Sequence, residues 1–193
     1  MTSQTSDDKI SFRYSTMDIL TVAVVSVIGG IVSAYAVGPW AKFIEAVMGP
    51  YGAALDNPFF ILWYIIVGLL TRKPGLTFIS AMLTGLVEVL AGSLDGSIVF
   101  VFVALQGIGA EIGLAAFRYR PTLPAALVSG ALAGIGCAIP LTIIFGFAKL
   151  PPLETVLLFI ALALGDGIIG GGLAYVIHAA LQRTGVTGRM RTV

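Results

Sequence analysis

Three carboxylates in this chain occupy positions where a carboxylate is costly. Glu88, Glu111 and Asp166 each fall inside a long apolar run, and Gln106 shares the run that holds Glu111. The chain has ten acidic residues; the other seven (Asp7, Asp8, Asp18, Glu45, Asp56, Asp95 and Glu154) fall in tails, loops or helix ends, and no Lys or Arg lies at the depth of the interior three. A buried carboxylate without a basic partner must be protonated, hydrogen-bonded, or matched by a ligand that brings a cation or N–H donors. Inside hydrocarbon such a group marks a site by default. The chemistry indicated is recognition of an amine-bearing or cationic solute, or relay of a proton. Catalysis finds no support: there is no G-x-x-x-x-G-K-[ST] loop and no H-E-x-x-H, and the lone His178 has no nucleophile at matching depth. His178 itself reads as an interfacial side chain.

The elements that must position these groups are membrane helices. The chain is 58% hydrophobic and 11% charged over 193 residues, with a mean hydropathy of +1.00. No soluble domain of this size hides so much apolar surface, so the fold class is all-α, a polytopic membrane protein. A net charge of +1 gives no reason to expect nucleic acid, and the single Cys137 excludes an internal disulfide and a thiolate metal cluster. No metal or other cofactor is expected.

Apolar runs predict six spans, over 19–37, 58–70, 74–92, 97–117, 122–148 and 155–178, with a kink at Pro140 in the fifth. Residues 39–56 read as an extracytoplasmic loop or short amphipathic helix over the pocket, and 58–70 is short for a full crossing. The domain plan is a tail over 1–17, one six-helix membrane domain over 18–181, and a tail over 182–193. With both termini cytoplasmic, the inner segments hold nine of the eleven Lys and Arg residues and the outer ones only Lys42 and Lys149, as the positive-inside rule requires. The expected location is the plasma membrane of a bacterial or archaeal cell.

Depth follows from the rise of about 1.5 Å per residue. On that arithmetic Glu88, Trp63 and Gln106 lie about 7, 9 and 14 Å from the outer ends of their helices, Asp166 about 17 Å and Glu111 about 21 Å. Glu88, Gln106 and Trp63 can therefore share an outward-facing cavity beneath the Trp40 segment. Gln106 and Glu111 project about 140° apart and need not serve one site. Glu111, near Arg118, fits a structural network as well as a ligand, and Asp166, between Gly165 and Gly167, fits either a cavity wall or a bond to a neighbouring helix. Trp63 and Trp40 suit ligand stacking or an interfacial belt; Tyr35 and Tyr64 are further aromatic candidates. Ser26, Gly30 and Ala34, four apart on the first helix, form a small-residue stripe for close helix contact, within the bundle or on another subunit.

The segments Thr71-Arg-Lys-Pro-Gly75, Leu86-Val-Glu-Val-Leu-Ala-Gly-Ser93, Leu105-Gln-Gly-Ile-Gly-Ala-Glu111 and Phe117-Arg-Tyr-Arg120 resemble the substrate-binding S component of energy-coupling factor (ECF) transporters, in the branch associated with thiamine and its hydroxymethylpyrimidine precursor. The similarity runs from the Trp63 helix to Leu181-Gln-Arg-Thr-Gly-Val186. It implies a six-helix vitamin-capture protein in the lipid bilayer, working with a transmembrane coupling subunit and two cytoplasmic ATPase subunits. It also implies that Ser26, Gly30 and Ala34 stand where members of the group often carry an Ala-x-x-x-Ala docking stripe.

Such a cargo suits the residues. An aminopyrimidine offers an exocyclic amine to a carboxylate, and an amide such as Gln106 can both donate and accept along a ring-nitrogen edge. The expectation is that Glu88 and Gln106 read the pyrimidine while Trp63 and Trp40 stack on it. The competing class is a proton-coupled secondary carrier of a small cationic or amine-bearing solute, with Glu111 and Asp166 as relay carboxylates.

Overall fold

The computed structural model describes residues 14–184, so most of both tails lies outside the described residues, as do Lys9, Arg13, Arg189 and Arg191 of the charge count. Every regular element among the described residues is helical: α1 (Thr16–Val32), α2 (Gly38–Met48), α3 (Ala53–Thr71), α4 (Leu76–Leu90), α5 (Val99–Ala116), α6 (Leu123–Ile144), α7 (Pro152–Gly165) and α8 (Gly172–Arg183). Widened π turns over Ser33–Val37 and Asp166–Gly171 join α1 to α2 and α7 to α8. Four segments are long and apolar enough to cross a membrane, Thr16–Thr71, Gly96–Ala116, Leu123–Ile144 and Pro152–Arg183, and Leu76–Leu90 is a shorter apolar helix. The chain is an integral membrane protein.

Local chemistry sets the helix starts. Ser15 caps α1, accepting from the Asp18 N–H while the Asp18 carboxylate accepts from the Ser15 N–H, a reciprocal pairing that satisfies two otherwise free donors. Thr122 caps α6 through the Ala125 N–H. The short second span expected from 58 is instead the 19-residue α3, with Pro58 inside it. Proline has no N–H for the carbonyl four residues back, here that of Ala54. Gly165 of α7 lies so close to that carbonyl that a Cβ there would stand 2.1 Å from its oxygen. A weak Cα–H···O contact from the neighbouring helix can take the place of the lost donor. The helix therefore begins at Ala53, ahead of the expected start at 58, and Asp56, expected in a loop, belongs to its first turn.

The core is built around α3. Ile61, Tyr64, Ile65 and Leu69 pack with Ala81 of α4, Val103 and Leu114 of α5, and Ala126 and Ala133 of α6. A second cluster joins Ala53 and Ala54 to Cys137, Leu141, Leu158 and Leu162. Small residues let the helices close up. Ser26 Oγ bonds Ser80 Oγ at 2.8 Å, Gly30 sits against Thr84 and Val87 of α4, and Ser26, Gly30 and Ala34 are all buried. The stripe is consumed within the bundle, so its reading as a docking face for another subunit is corrected. The large apolar side chains that α1 leaves exposed are Ile19, Leu20, Val24, Val27, Ile28 and Ile31.

Candidate functional site

One end of the bundle holds a cavity of about 290 Å³, at the small end of the roughly 300–1,000 Å³ usual for ligand sites. It is formed where α2 lies over the start of α3, the end of α4, the start of α5 and the end of α6. Its polar lining is Lys42, Glu45, Asp56, Asn57, Glu88, Asp95 and Gln106, and its apolar lining includes Phe60, Phe102, Phe145 and Phe147. Glu88 and Gln106, expected from the sequence to share a cavity, both line this one.

The deep wall is a chain of directed hydrogen bonds. Tyr64 Oη donates to Gln106 Oε1 at 2.8 Å, Gln106 Nε2 donates to Asn57 Oδ1 at 2.9 Å, and Asn57 Nδ2 donates to Asp166 Oδ2 at 2.6 Å. Every link points its donor toward Asp166, and acceptance by that carboxylate is what orients both amides. A Cβ on Gly134 would stand 2.7 Å from Asp166 Oδ2, so glycine is needed there for the carboxyl to be seated. Cys137, in the same lining, lies within hydrogen-bonding reach of the Gln106 side chain. Asp166 and Tyr64 thus stand behind the cavity rather than in its lining.

The mouth is acidic. Lys42 is the one basic residue in the lining, and its Nζ is shared between Asp95 Oδ1 at 2.7 Å and Glu45 Oε2 at 3.1 Å. Glu88, 4% exposed, accepts from Ser93 Oγ at 3.0 Å. Asp56, 2% exposed, has no hydrogen-bond partner for Oδ2. A buried acceptor left unsatisfied costs about 1–3 kcal/mol, a deficit that a bound cation or N–H donor would remove.

The remaining sequence candidates lie elsewhere. Glu111 accepts from the Gly75 N–H at 2.6 Å, the Phe78 N–H at 3.2 Å and Tyr119 Oη at 2.5 Å. It ties the start of α4 to the turn after α5, at the end of the bundle opposite the cavity. Burial, and then the hydrogen bond to Glu111, hold the Tyr119 phenol above its ordinary range. Glu111 is therefore a structural clamp, and its assignment to the ligand or to a proton relay with Asp166 is corrected. The wide angle expected between Gln106 and Glu111 is realised in their separate partners.

Trp63 packs on α1, where a Cβ on Gly29 would stand 2.6 Å from its Cγ. Trp40, 40% exposed, meets the edge of Phe59 at 5.4 Å between ring centroids, and Tyr35 is 69% exposed. None of these three lines the cavity, whose aromatic side chains are Phe60, Phe102, Phe145 and Phe147. His178, expected at an interface, is buried with no hydrogen-bond partner at either ring nitrogen.

The sequence reading missed Asp56, Asn57 and the paired Lys42, Glu45 and Asp95. The adjacent Asp56 and Asn57 just ahead of Pro58 were the available signal. Two polar side chains within one turn of an apolar helix have the same cost that singled out Glu88.

Comparison with known proteins gives three matches. Residues 17–136 match the model of a family described as the permease component of ABC-type cobalt transport systems. A Bacillus subtilis (strain 168) protein named as an HMP/thiamine permease, YkoE, is 25% identical over 177 residues, covering 90% of this chain and 87% of its own. A crystal structure of an S component of an ECF transporter superposes with a TM-score of 0.86 at 23% identity, over 93% of this chain and 91% of that one.

Proposed function

The chain belongs to the family of permease components of ABC-type cobalt transport systems and has the fold of an ECF-transporter S component; from that premise we propose that it is a substrate-capture component for thiamine or its hydroxymethylpyrimidine precursor. One observation carries the choice of cargo: a cavity with an oriented amide wall, phenyl rings and carboxylates in excess of its single cation. Gln106 and Glu88 read the pyrimidine edge and its exocyclic amine, while phenyl faces cover the ring. The name of the B. subtilis relative supports the same cargo class. Against a bare metal ion, no group of three or more His, Cys, Asp or Glu side chains suited to hold one occurs among the described residues.

The wider proposal is six crossings with both termini in the cytoplasm and the cavity opening outward. S components of ECF transporters work with a transmembrane coupling subunit and ATPase subunits, and in this reading partner subunits of that kind drive uptake by ATP hydrolysis. The single six-helix domain spans 18–181 in the plasma membrane.

The test is calorimetry on detergent-solubilised, ligand-depleted protein with thiamine, hydroxymethylpyrimidine and Co²⁺ in turn. A Kd below about 1 μM, some 8 kcal/mol of binding, is expected for at least one of the two organic ligands and no saturable heat for the metal. Saturable Co²⁺ binding with silence from both pyrimidines would end the proposal.

A further inference from the structure

We infer that Asp56 is the counter-charge for a cargo carrying a delocalised organic cation, and so decides between charged and uncharged forms of the ligand. The inference rests on the reading of this cavity as a pyrimidine-vitamin site and deepens it. Asp56 is almost wholly buried, lines the cavity and leaves Oδ2 without a partner. The cavity's own cation makes its ion pairs elsewhere, with Asp95 and Glu45. Position in the helix also singles Asp56 out. It lies in the first turn of α3, where the helix dipole favours negative charge, whereas Glu88 lies in the last turn of α4, where it does not.

The chemical class of the cation follows from what else the cavity offers. Phe60 and Phe102 line the same space, and phenyl faces attract a cation that has shed its water. A heterocyclic cation, large and weakly hydrated, enters such a lining at low cost. A metal ion or a primary ammonium would lose a tight hydration shell with too few oxygens to replace it. Asn57, the next residue, belongs to the amide wall. Neighbours on a helix project about 100° apart, so the charged end and the hydrogen-bonding end of the ligand are received by separate parts of the cavity.

The experiment is calorimetry on the full-length, ligand-depleted protein with thiamine, which carries a fixed positive charge, and with neutral hydroxymethylpyrimidine, which shares only the pyrimidine. In the Asp56→Asn variant thiamine affinity is expected to fall about 30-fold or more, as for an uncompensated buried charge, while the neutral ligand changes by less than about threefold. Asp56→Glu, which keeps the charge, should hold thiamine within about tenfold of the parent. Retained binding of the neutral ligand certifies the fold; should the Asn variant not fold, Asp56→Ser gives the same comparison. Equal losses for both ligands, or no loss for thiamine, overturn the role of Asp56 while leaving the vitamin reading intact. A parent protein that binds neither ligand overturns the vitamin reading and this inference with it.

Discussion

The two ends of the bundle use carboxylates in opposite ways. At the end opposite the cavity Glu111 accepts from two backbone N–H groups and a phenol. At the cavity end Asp56 leaves an oxygen without a partner, and Glu88 accepts from the Ser93 hydroxyl. Glu88 and Glu111 gave the same sequence signal, an acid in an apolar run. The difference teaches that cost identifies a polar group as purposeful, and only its partners distinguish a fastened carboxylate from one left open.

The contrast can be broken or sharpened by substitution. The largest effect is expected from Gly134→Val, which drives a side chain into the Asp166 carboxyl and the Leu162 carbonyl; loss of the folded protein on size-exclusion chromatography is the outcome, since overpacking against backbone has no cheap relief. Next is Glu111→Ala, which strands two N–H donors and the Tyr119 hydroxyl. A stability loss of about 3 kcal/mol, with ligand affinity unchanged in the protein that remains folded, is expected by thermal unfolding and calorimetry. A large change in affinity would erase the distinction between the two ends. Gln106→Leu removes the centre of the amide wall and should weaken pyrimidine binding by about 30-fold, or 2 kcal/mol, with a smaller cost in stability. The smallest effect is expected from Trp40→Phe, which should move affinity by less than about threefold; a tenfold loss would return the tryptophan to the site.

Much of this was legible in the residues. Composition alone required a helical membrane protein, and Glu88 and Gln106 could be paired by depth because rise per residue is fixed. Direction around the helix was less legible. Trp63 lies at a suitable depth but faces Gly29 of α1, and depth carries no information about azimuth. The start of α3 was misread because proline commonly opens a helix, whereas Pro58 lies inside this one, with Gly165 beside the carbonyl it deprives. That contact joins residues more than a hundred positions apart, which no local pattern reports. The burial of the Ser26, Gly30 and Ala34 stripe was undetermined for the same reason: a small-residue row promises a close neighbour without naming it.

The π turn over Asp166–Gly171 has an effect on everything downstream. A turn of that kind holds one residue more than a regular one, so α8 is rotated by about 100° relative to an unbroken continuation of α7. The insertion works as a phase shift: with it, Asp166 and His178 both face inward while Val176 faces outward. Deleting a single glycine from this run would leave the composition of the last span almost untouched and turn its far half the wrong way, exposing an imidazole to lipid.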